Sequence, residues 1–404
     1  MTQIDQLSYI YSDEKNPTKM VVWDLGRRCN FDCSYCTGWM HSTTASFNTL
    51  DRYKRTADFI DGYYSIYEQF HTVKFRPVLS FTGGEPAINP DFFPLVEYLK
   101  EEYPHFVLNL TTNGTWSKRR AQFLLDNMDS ITVSYHCEGN DKQRKLCRDN
   151  LIWMRKRIQN KHKLKVNVMM HVDHWDDCID LIETVLKPHD IKYIPRTIGD
   201  DGRNRYEWFE DMDGQMRRTS HKYSDEQMDY IKNHWQEKNK QVGDVKELKK
   251  SEDGDVRKIG RPCCGGRCMT VKRVDKSSEN DTMFIDQSNF EGWNCMVNWF
   301  FLHIEEDKDV AYHHQTCMAK TVDSPEFTVT PLLGHVSTFT PNRGPICNLS
   351  RSDEYLLWLE EKVRREGRPP TMVCPNKHCG CGICVPKAKT KSDFDRLTRK
   401  YIHG

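Results

Sequence analysis

"KMVVWDL" (19–25) runs directly into "GRRCNFDCSYCTGW" (26–39). The first stretch is a β-rich apolar run. The second places Cys29, Cys33 and Cys36 within eight residues. A strand that ends in a loop of thiols puts ligand chemistry at the strand's C-terminal end, where chemistry gathers in folds built from strand–helix units. Thiolates are soft ligands suited to iron–sulfur clusters or zinc. Spacings of four and three residues let one loop wrap a compact cluster. Common metal sites take four ligands, so the loop is one short. A zinc site closed by a distant cysteine or by His41 is the alternative reading.

Further along, five more β-rich runs follow, at 77–82, 106–112, 130–136, 164–171 and 191–197. Amphipathic stretches lie between them, clearest at 91–103, 117–128, 141–159 and 176–186. This alternation predicts an α/β fold with parallel βαβ units and right-handed crossovers. Six units fall short of the eight of a closed barrel, so a partial (β/α)6 TIM-like barrel is expected over residues 1–198. Unusual residues recur at its strand ends. "GGEP" (Gly83, Gly84, Glu85, Pro86) follows the second run and "TTNG" (111–114) the third. The fourth run ends in "SYHCEG" with Ser134 and His136, the fifth carries Asn167, and the sixth contains Arg196. Each alone is weak, since a Gly–Gly turn after a strand is ordinary. Their shared rim is the stronger signal.

Composition narrows the function classes. The chain has 404 residues, 37% of them hydrophobic, with 59 basic against 58 acidic side chains and a net charge of +1. That describes a globular protein and argues against duplex nucleic acid or an anionic membrane as the main partner. The first residues lack an apolar signal core, and no run approaches a membrane span. A cytoplasmic, reducing location is expected, where clustered cysteines stay free for metal.

Residues 199–260 are charged and poor in aliphatics; a helix at 224–240 and an exposed linker are expected there. Residues 261–404 hold ten of the sixteen cysteines. "CPNKHCGCGICVPK" (374–387) packs Cys374, Cys379, Cys381 and Cys384 into eleven residues. Upstream, Cys295 and Cys317 flank what reads as a β-hairpin with "EEDKD" (305–309) as its turn. A helix is expected over 352–367, with Ser352 as N-cap and Gly367 as stop. A zinc ribbon stapling a small module is the bland reading of these cysteines. Cys263, Cys264 and Cys268 in "RPCCGGRC" resist assignment. Cys137, Cys147, Cys178 and Cys347 stand alone in sequence and read as inert packing thiols.

Cys-x3-Cys-x2-Cys with aromatic Tyr35 before the last cysteine resembles the signature of the radical S-adenosylmethionine (SAM) enzymes, and "GGEP" resembles their second motif. The resemblance implies that Cys29, Cys33 and Cys36 hold three irons of a [4Fe–4S] cluster, while SAM chelates the fourth through its amino and carboxylate groups. Reductive cleavage of SAM then yields a 5′-deoxyadenosyl radical that abstracts a substrate hydrogen. The missing ligand becomes an opening for SAM. Gly83 and Gly84 would allow close approach of the methionyl amine, and Glu85 would hold the turn or contact that amine. Asn113 and Ser134 resemble the family's polar contacts to the SAM carboxylate and ribose. Asn167 could serve similarly or be satisfied structure. His136 needs no catalytic role. Tyr35 or Trp39 could pack on adenine or be core. Arg196 could pair with a carboxylate of SAM or substrate, or form a surface ion pair.

The C-terminal pattern resembles the SPASM/twitch extension of this family. It implies one or two auxiliary [4Fe–4S] clusters, the first held by Cys295, Cys317, Cys374 and Cys379 or Cys381, with Cys384 in reserve. The usual hairpin glycine is not evident. Such a cluster would take up an electron when the product is oxidised. The expected function is a radical SAM oxidoreductase acting on a peptide side chain or small metabolite, served by a reductant such as flavodoxin or ferredoxin. With the first motif at Cys29, no peptide-leader-binding domain is expected ahead of it. The alternatives are a nucleotide- or RNA-modifying radical SAM enzyme, or a non-catalytic iron–sulfur or zinc binding protein.

Overall fold

The computed structural model describes residues 19–36, 41–69, 76–196, 291–313, 345–374 and 387–403, most of 223–234, positions 198, 325 and 327, and the backbone of short strands at 9–12, 207–210, 216–219, 257–258, 271–272 and 282–283. Trp39, Cys263, Cys264, Cys268, Cys317, Cys379, Cys381 and Cys384 lie outside the described residues. Contacts divide the chain into two units: Trp23–Lys54 with Leu79–Asp244, and Met1–Val22 with Arg55–Val78 and Val245–Gly404.

The three cysteines belong to an α/β fold around a mostly parallel sheet. Strands β1 (Met20–Asp24), β2 (Val78–Thr82), β3 (Val107–Thr112), β4 (Ser130–Tyr135), β5 (Leu164–Met169) and β6 (Lys192–Arg196) lie side by side in chain order. Helices α1 (Leu50–Glu68), α2 (Phe92–Glu102), α3 (Lys118–Asn127), α4 (Asp141–Arg155) and α5 (Trp175–Leu181) connect them, the last continuing as a wider turn at Ile182–Leu186. The pairs β3–β4, β4–β5 and β5–β6 are parallel, with Thr112 opposite Val133, Ser134 opposite Asn167, and Met169 opposite Arg196.

Burial alternates along the strands. Trp23, Leu79, Phe81, Leu108, Leu110, Val133, Val166 and Val168 are buried. This face packs on the helices: Trp23 meets the Tyr53 ring at 6.2 Å and Phe81 meets Phe92 at 5.5 Å. The other face carries half-buried Asp24, Thr82, Asn109, Thr111, Ser134, Lys165, Asn167 and Arg196. Parallel sheets are usually apolar on both faces. A polar second face marks a sheet that does something other than fill a core.

Helix ends follow local chemistry. Ser117 Oγ accepts from Arg120 N to cap α3, and Asn140 with Gln143 makes a capping box on α4. α1 is different, because its first free N–H, on Leu50, donates to the carboxylate of Asp91, forty-one residues away. The acceptor for that N–H thus comes from a residue far along the chain, which no local pattern in the sequence marks.

The other unit is built mainly on short antiparallel pairs. β7 (Asn294–Cys295) pairs with β11 (Met372–Val373) and β12 (Lys387–Ala388). The expected hairpin is present as β8 (Phe301–Glu305) and β9 (Val310–Tyr312), followed by β10 (Pro345–Asn348). Asp309 closes its turn at φ 55°, the left-handed position a glycine often takes. Helix α6 (Ser352–Glu366) ends at Gly367 with φ 64°. Its start corrects the sequence expectation: a 3-10 turn at Leu349–Arg351 feeds into it, Arg351 takes the cap position, and Ser352 is already helical. Among the described residues no helix is long and apolar enough to cross a membrane.

Candidate active site

The cysteine loop leaves β1 at Asp24, and every later strand end of the first five reaches back to it or to its neighbours. From β2, Gly84 N donates to Gly26 O and Glu85 N to Arg28 O, each at 2.8 Å. From β3, Asn113 Nδ2 donates to Asn30 Oδ1 at 2.7 Å. From the N-terminus of α4, Gln143 Nε2 donates to Asn30 O at 3.0 Å. From the end of β4, Glu138 Oε2 accepts from Ser34 N at 2.9 Å. The loop also pairs with the segment before α1, where Cys29 N donates to Ser42 O and Ser42 N to Arg27 O.

The two glycines are required by this packing. Gly83 stands at φ +125°, and a Cβ there would strike Gly26 O and Asp24 Oδ1. A Cβ on Gly84 would strike the carbonyl oxygens of Arg27 and Arg28. Glycine is the residue that lets two backbones come this close. Their first service is therefore to the cysteine loop.

Glu85 is buried, and its carboxylate is fully engaged in the turn. Oε1 accepts from Thr112 Oγ1 at 2.6 Å and from Ala87 N at 3.0 Å, and Oε2 accepts from Asn113 N at 2.6 Å. Burial pushes its pKa up to about 7, against the pull of those three donors.

Cys33 is buried and Cys29 and Cys36 are partly so. Burial pushes Cys29 up to about 11 and Cys36 up to about 12. Cys33 is raised too, first by burial and then by the charge on Cys36. The three thiols thus lie close enough to feel one another. Among the described residues no three His, Cys, Asp or Glu side chains close around a single metal-ion-sized point. Three thiols on one backbone-clamped loop fit the ligand chemistry of an iron–sulfur cluster.

Tyr35 turns toward β4. Its hydroxyl bonds His136 Nδ1, and its ring stacks on the His136 ring at 5.8 Å and 20°. His136 is held neutral by burial, with its pKa lowered to about 4. Beside it, His171 Nε2 lies 3.5 Å from Glu138 Oε1. Glu138 and His171 were not singled out from the sequence, although "SYHCEG" and "MMH" contain them. Their signal was a titratable residue just past each strand end.

Ser134 and Asn167 face each other across β4 and β5. Asn167 Oδ1 is buried with no hydrogen-bond partner among the described residues. Arg196 lies one register step further along β6, opposite Met169. In the other unit, Cys295 and Cys374 are buried on neighbouring antiparallel segments. Cys295 pairs with Met372, and Cys374 N donates to Trp293 O at 2.9 Å. Two cysteines 79 positions apart therefore share one face of a ribbon, offset diagonally. Cys137 and Cys178, which stand alone in sequence, come together in space: both thiols point at the Met169 carbonyl oxygen, at 3.9 and 3.4 Å.

The Radical SAM superfamily model matches residues 23–184. These residues are a radical SAM domain. Over 132 residues the chain is 30% identical to the GTP 3′,8-cyclase of Aquifex aeolicus, covering 32% of this chain and 39% of that protein. Over 101 residues it is 34% identical to the AdoMet-dependent heme synthase of Methanosarcina barkeri, covering 25% of each. The chain thus spans well under half the length of these relatives, both of them enzymes by name. The crystal structure of Streptococcus suis SuiB superposes at 11% identity with a TM-score of 0.43, covering 74% of this chain and 61% of that one. The match to the radical SAM domain begins in β1 and takes in the cysteine loop, "GGEP", "TTNG" and the end of β4.

Proposed function

We propose that this chain is a radical SAM oxidoreductase. One observation carries the reading: three thiols on a single loop, clamped by backbone bonds from Gly84 and Glu85 and by Asn113, inside a radical SAM domain. Cys29, Cys33 and Cys36 would hold a [4Fe–4S] cluster, which supplies the electron that cleaves SAM. Ser134, Asn167 and Arg196, on the polar face of the sheet, would orient SAM or substrate, and the unpartnered Asn167 Oδ1 is a ready acceptor. Glu85 would act on the site by fixing the loop, since its oxygens are already engaged. The sheet would be the partial (β/α)6 barrel of residues 1–198, with 199–260 as a linker.

Residues 261–404 would form a SPASM/twitch-like domain. Cys295 and Cys374, brought onto one ribbon, would contribute two ligands of an auxiliary [4Fe–4S] cluster, with Cys317, Cys379, Cys381 and Cys384 as further ligands. An auxiliary cluster would accept an electron when a peptide side chain or small metabolite is oxidised. The electron for SAM cleavage would come from a flavodoxin- or ferredoxin-type donor in the cytoplasm. A nucleotide substrate is a second reading, favoured by the name of the Aquifex aeolicus relative.

The test is anaerobic reconstitution followed by incubation with SAM and a strong reductant. The expected result is formation of 5′-deoxyadenosine by the parent chain and none by Cys33→Ala. A parent that assembles a cluster yet releases no 5′-deoxyadenosine would sink the proposal.

A further inference from the structure

We infer that the outward face of α4, with the first turn of α3 beside it, is the docking surface for a small acidic electron-transfer protein. The inference rests on the reading of Cys29, Cys33 and Cys36 as cluster ligands, since only a cluster there gives a donated electron its destination. Lys142, Lys145, Leu146 and Trp153 share one side of α4 by their three- and four-residue spacing, and Lys156 and Arg157 continue that side past the helix end. The four cations are exposed, and Leu146 is 37% exposed. The other cations of the helix are already matched: Arg144 pairs with Asp141, Arg148 with Asp177 and Asp180, and Arg155 with Asp190. Among the described residues, Arg119, Lys142, Lys145 and Lys156 are in no salt bridge.

Lys118, at the start of α3, joins the same face. Its Nζ donates to Asp149 O at 3.1 Å and to Asn150 Oδ1 at 2.7 Å, and it lies 5.4 Å from the centre of the Trp153 ring. Arg157 covers that ring at 3.9 Å, and exposed Arg119 follows Lys118. Six cations thus gather around one carboxylate, Asp149, and two apolar side chains. Such a face repels itself until an opposite charge covers it. The chain's net charge of +1 makes the excess local, which argues against a nucleic acid as occupant. The face also leads to the cysteine loop. Gln143 Nε2 donates to Asn30 O, and Asn30 Nδ2 donates to Thr115 Oγ1 just before α3, each at 3.0 Å. A recess of about 310 Å³ lies between loop and helix, with Asn30, Cys33, Glu138 and Gln143 in its walls. A protein seated here would pass one electron in beside a ligand sulfur. Electron-transfer partners meet through small interfaces and are steered by opposite charge.

The probe is oxidised flavodoxin, a small acidic electron carrier, titrated by calorimetry into the reconstituted full chain. Binding is expected at about 50 mM KCl and should weaken on the order of tenfold by about 300 mM. At low salt the triple variant Arg119→Glu, Lys142→Glu, Lys145→Glu should bind on the order of tenfold more weakly than the parent. The triple variant Arg55→Glu, Lys100→Glu, Arg365→Glu makes the same charge change at exposed positions elsewhere and should bind as the parent does. With dithionite, which needs no docking, the first triple variant should form 5′-deoxyadenosine at the parent's rate; with reduced flavodoxin it should be slower. No binding by the parent, or equal binding by the two triple variants, overturns the docking surface. Should the first triple variant not fold, the parent's salt dependence decides, and binding indifferent to salt overturns it. Loss of single-stranded poly(U) binding in the first triple variant, with flavodoxin binding intact, gives the face to a nucleic acid and overturns it too. A parent that binds flavodoxin yet forms no 5′-deoxyadenosine with dithionite sinks the ligand reading itself, which is a different result from an active parent that flavodoxin ignores.

Discussion

Glu85 shows how one buried residue serves a site it need not touch. Three donors converge on its carboxylate, yet burial still raises its pKa from 4.5 to about 7. The folded chain therefore keeps a proton that the unfolded chain has lost. Its contribution to stability is fully present below about pH 4.5 and is lost as pH rises through about 7, amounting to about 3 kcal/mol by pH 8. Glu85→Gln cannot titrate and should flatten that slope, as urea denaturation of the metal-free chain at pH 5 and pH 8 would show. An unaltered slope would mean that the carboxyl is ionised throughout. At Gly84, alanine should collide with the Arg27 and Arg28 carbonyls. Gly84→Ala is expected to cut iron uptake on reconstitution severalfold, because the cysteine loop must move away to make room. At this scale the three cysteines and "GGEP" were legible from spacing alone. The roles of Gly83 and Gly84 as loop packing, and of Glu138 and His171 as props, were not, because their partners lie far off in sequence.

Among the elements, the six strands fall within two residues of their sequence-read limits, since period-two burial was written into them. Helix α1 went unread. Its buried face mixes Ala57, Phe59 and Ile60 with Tyr53, Tyr63, Tyr64 and Tyr67, which a hydropathy pattern counts as half polar, and the N–H of Leu50 is met by the distant Asp91. α4 is the opposite case, with a complete local capping box in Asn140 and Gln143. Asn140→Ala should lower stability by about 1 kcal/mol. Gln143→Ala should cost a similar amount and also loosen the cysteine loop, because Gln143 Nε2 holds Asn30 O. Faster iron loss from reconstituted Gln143→Ala than from Asn140→Ala is the expected result, and equal loss from both would show that the Asn30 bond does not matter.

For the whole molecule, the proposal predicts more iron than one cluster contains. Reconstituted parent chain should hold about eight irons or more, against about four for the SAM-binding cluster alone. Cys374→Ala should lose the difference while still releasing 5′-deoxyadenosine, with product formation stopped. Retention of full iron by Cys374→Ala would remove this residue from the ligand set.

The sequence by itself determined the α/β alternation, the cysteine loop and the rim on which the motifs sit, because these depend on local periodicity and spacing. Only the tertiary structure decided that the rim residues clamp the cysteine loop, that Tyr35 rests on His136, and that Cys295 and Cys374 share one face of a ribbon. Those pairings join residues tens of positions apart, and no local pattern specifies which buried donor will meet which acceptor once the chain has closed on itself.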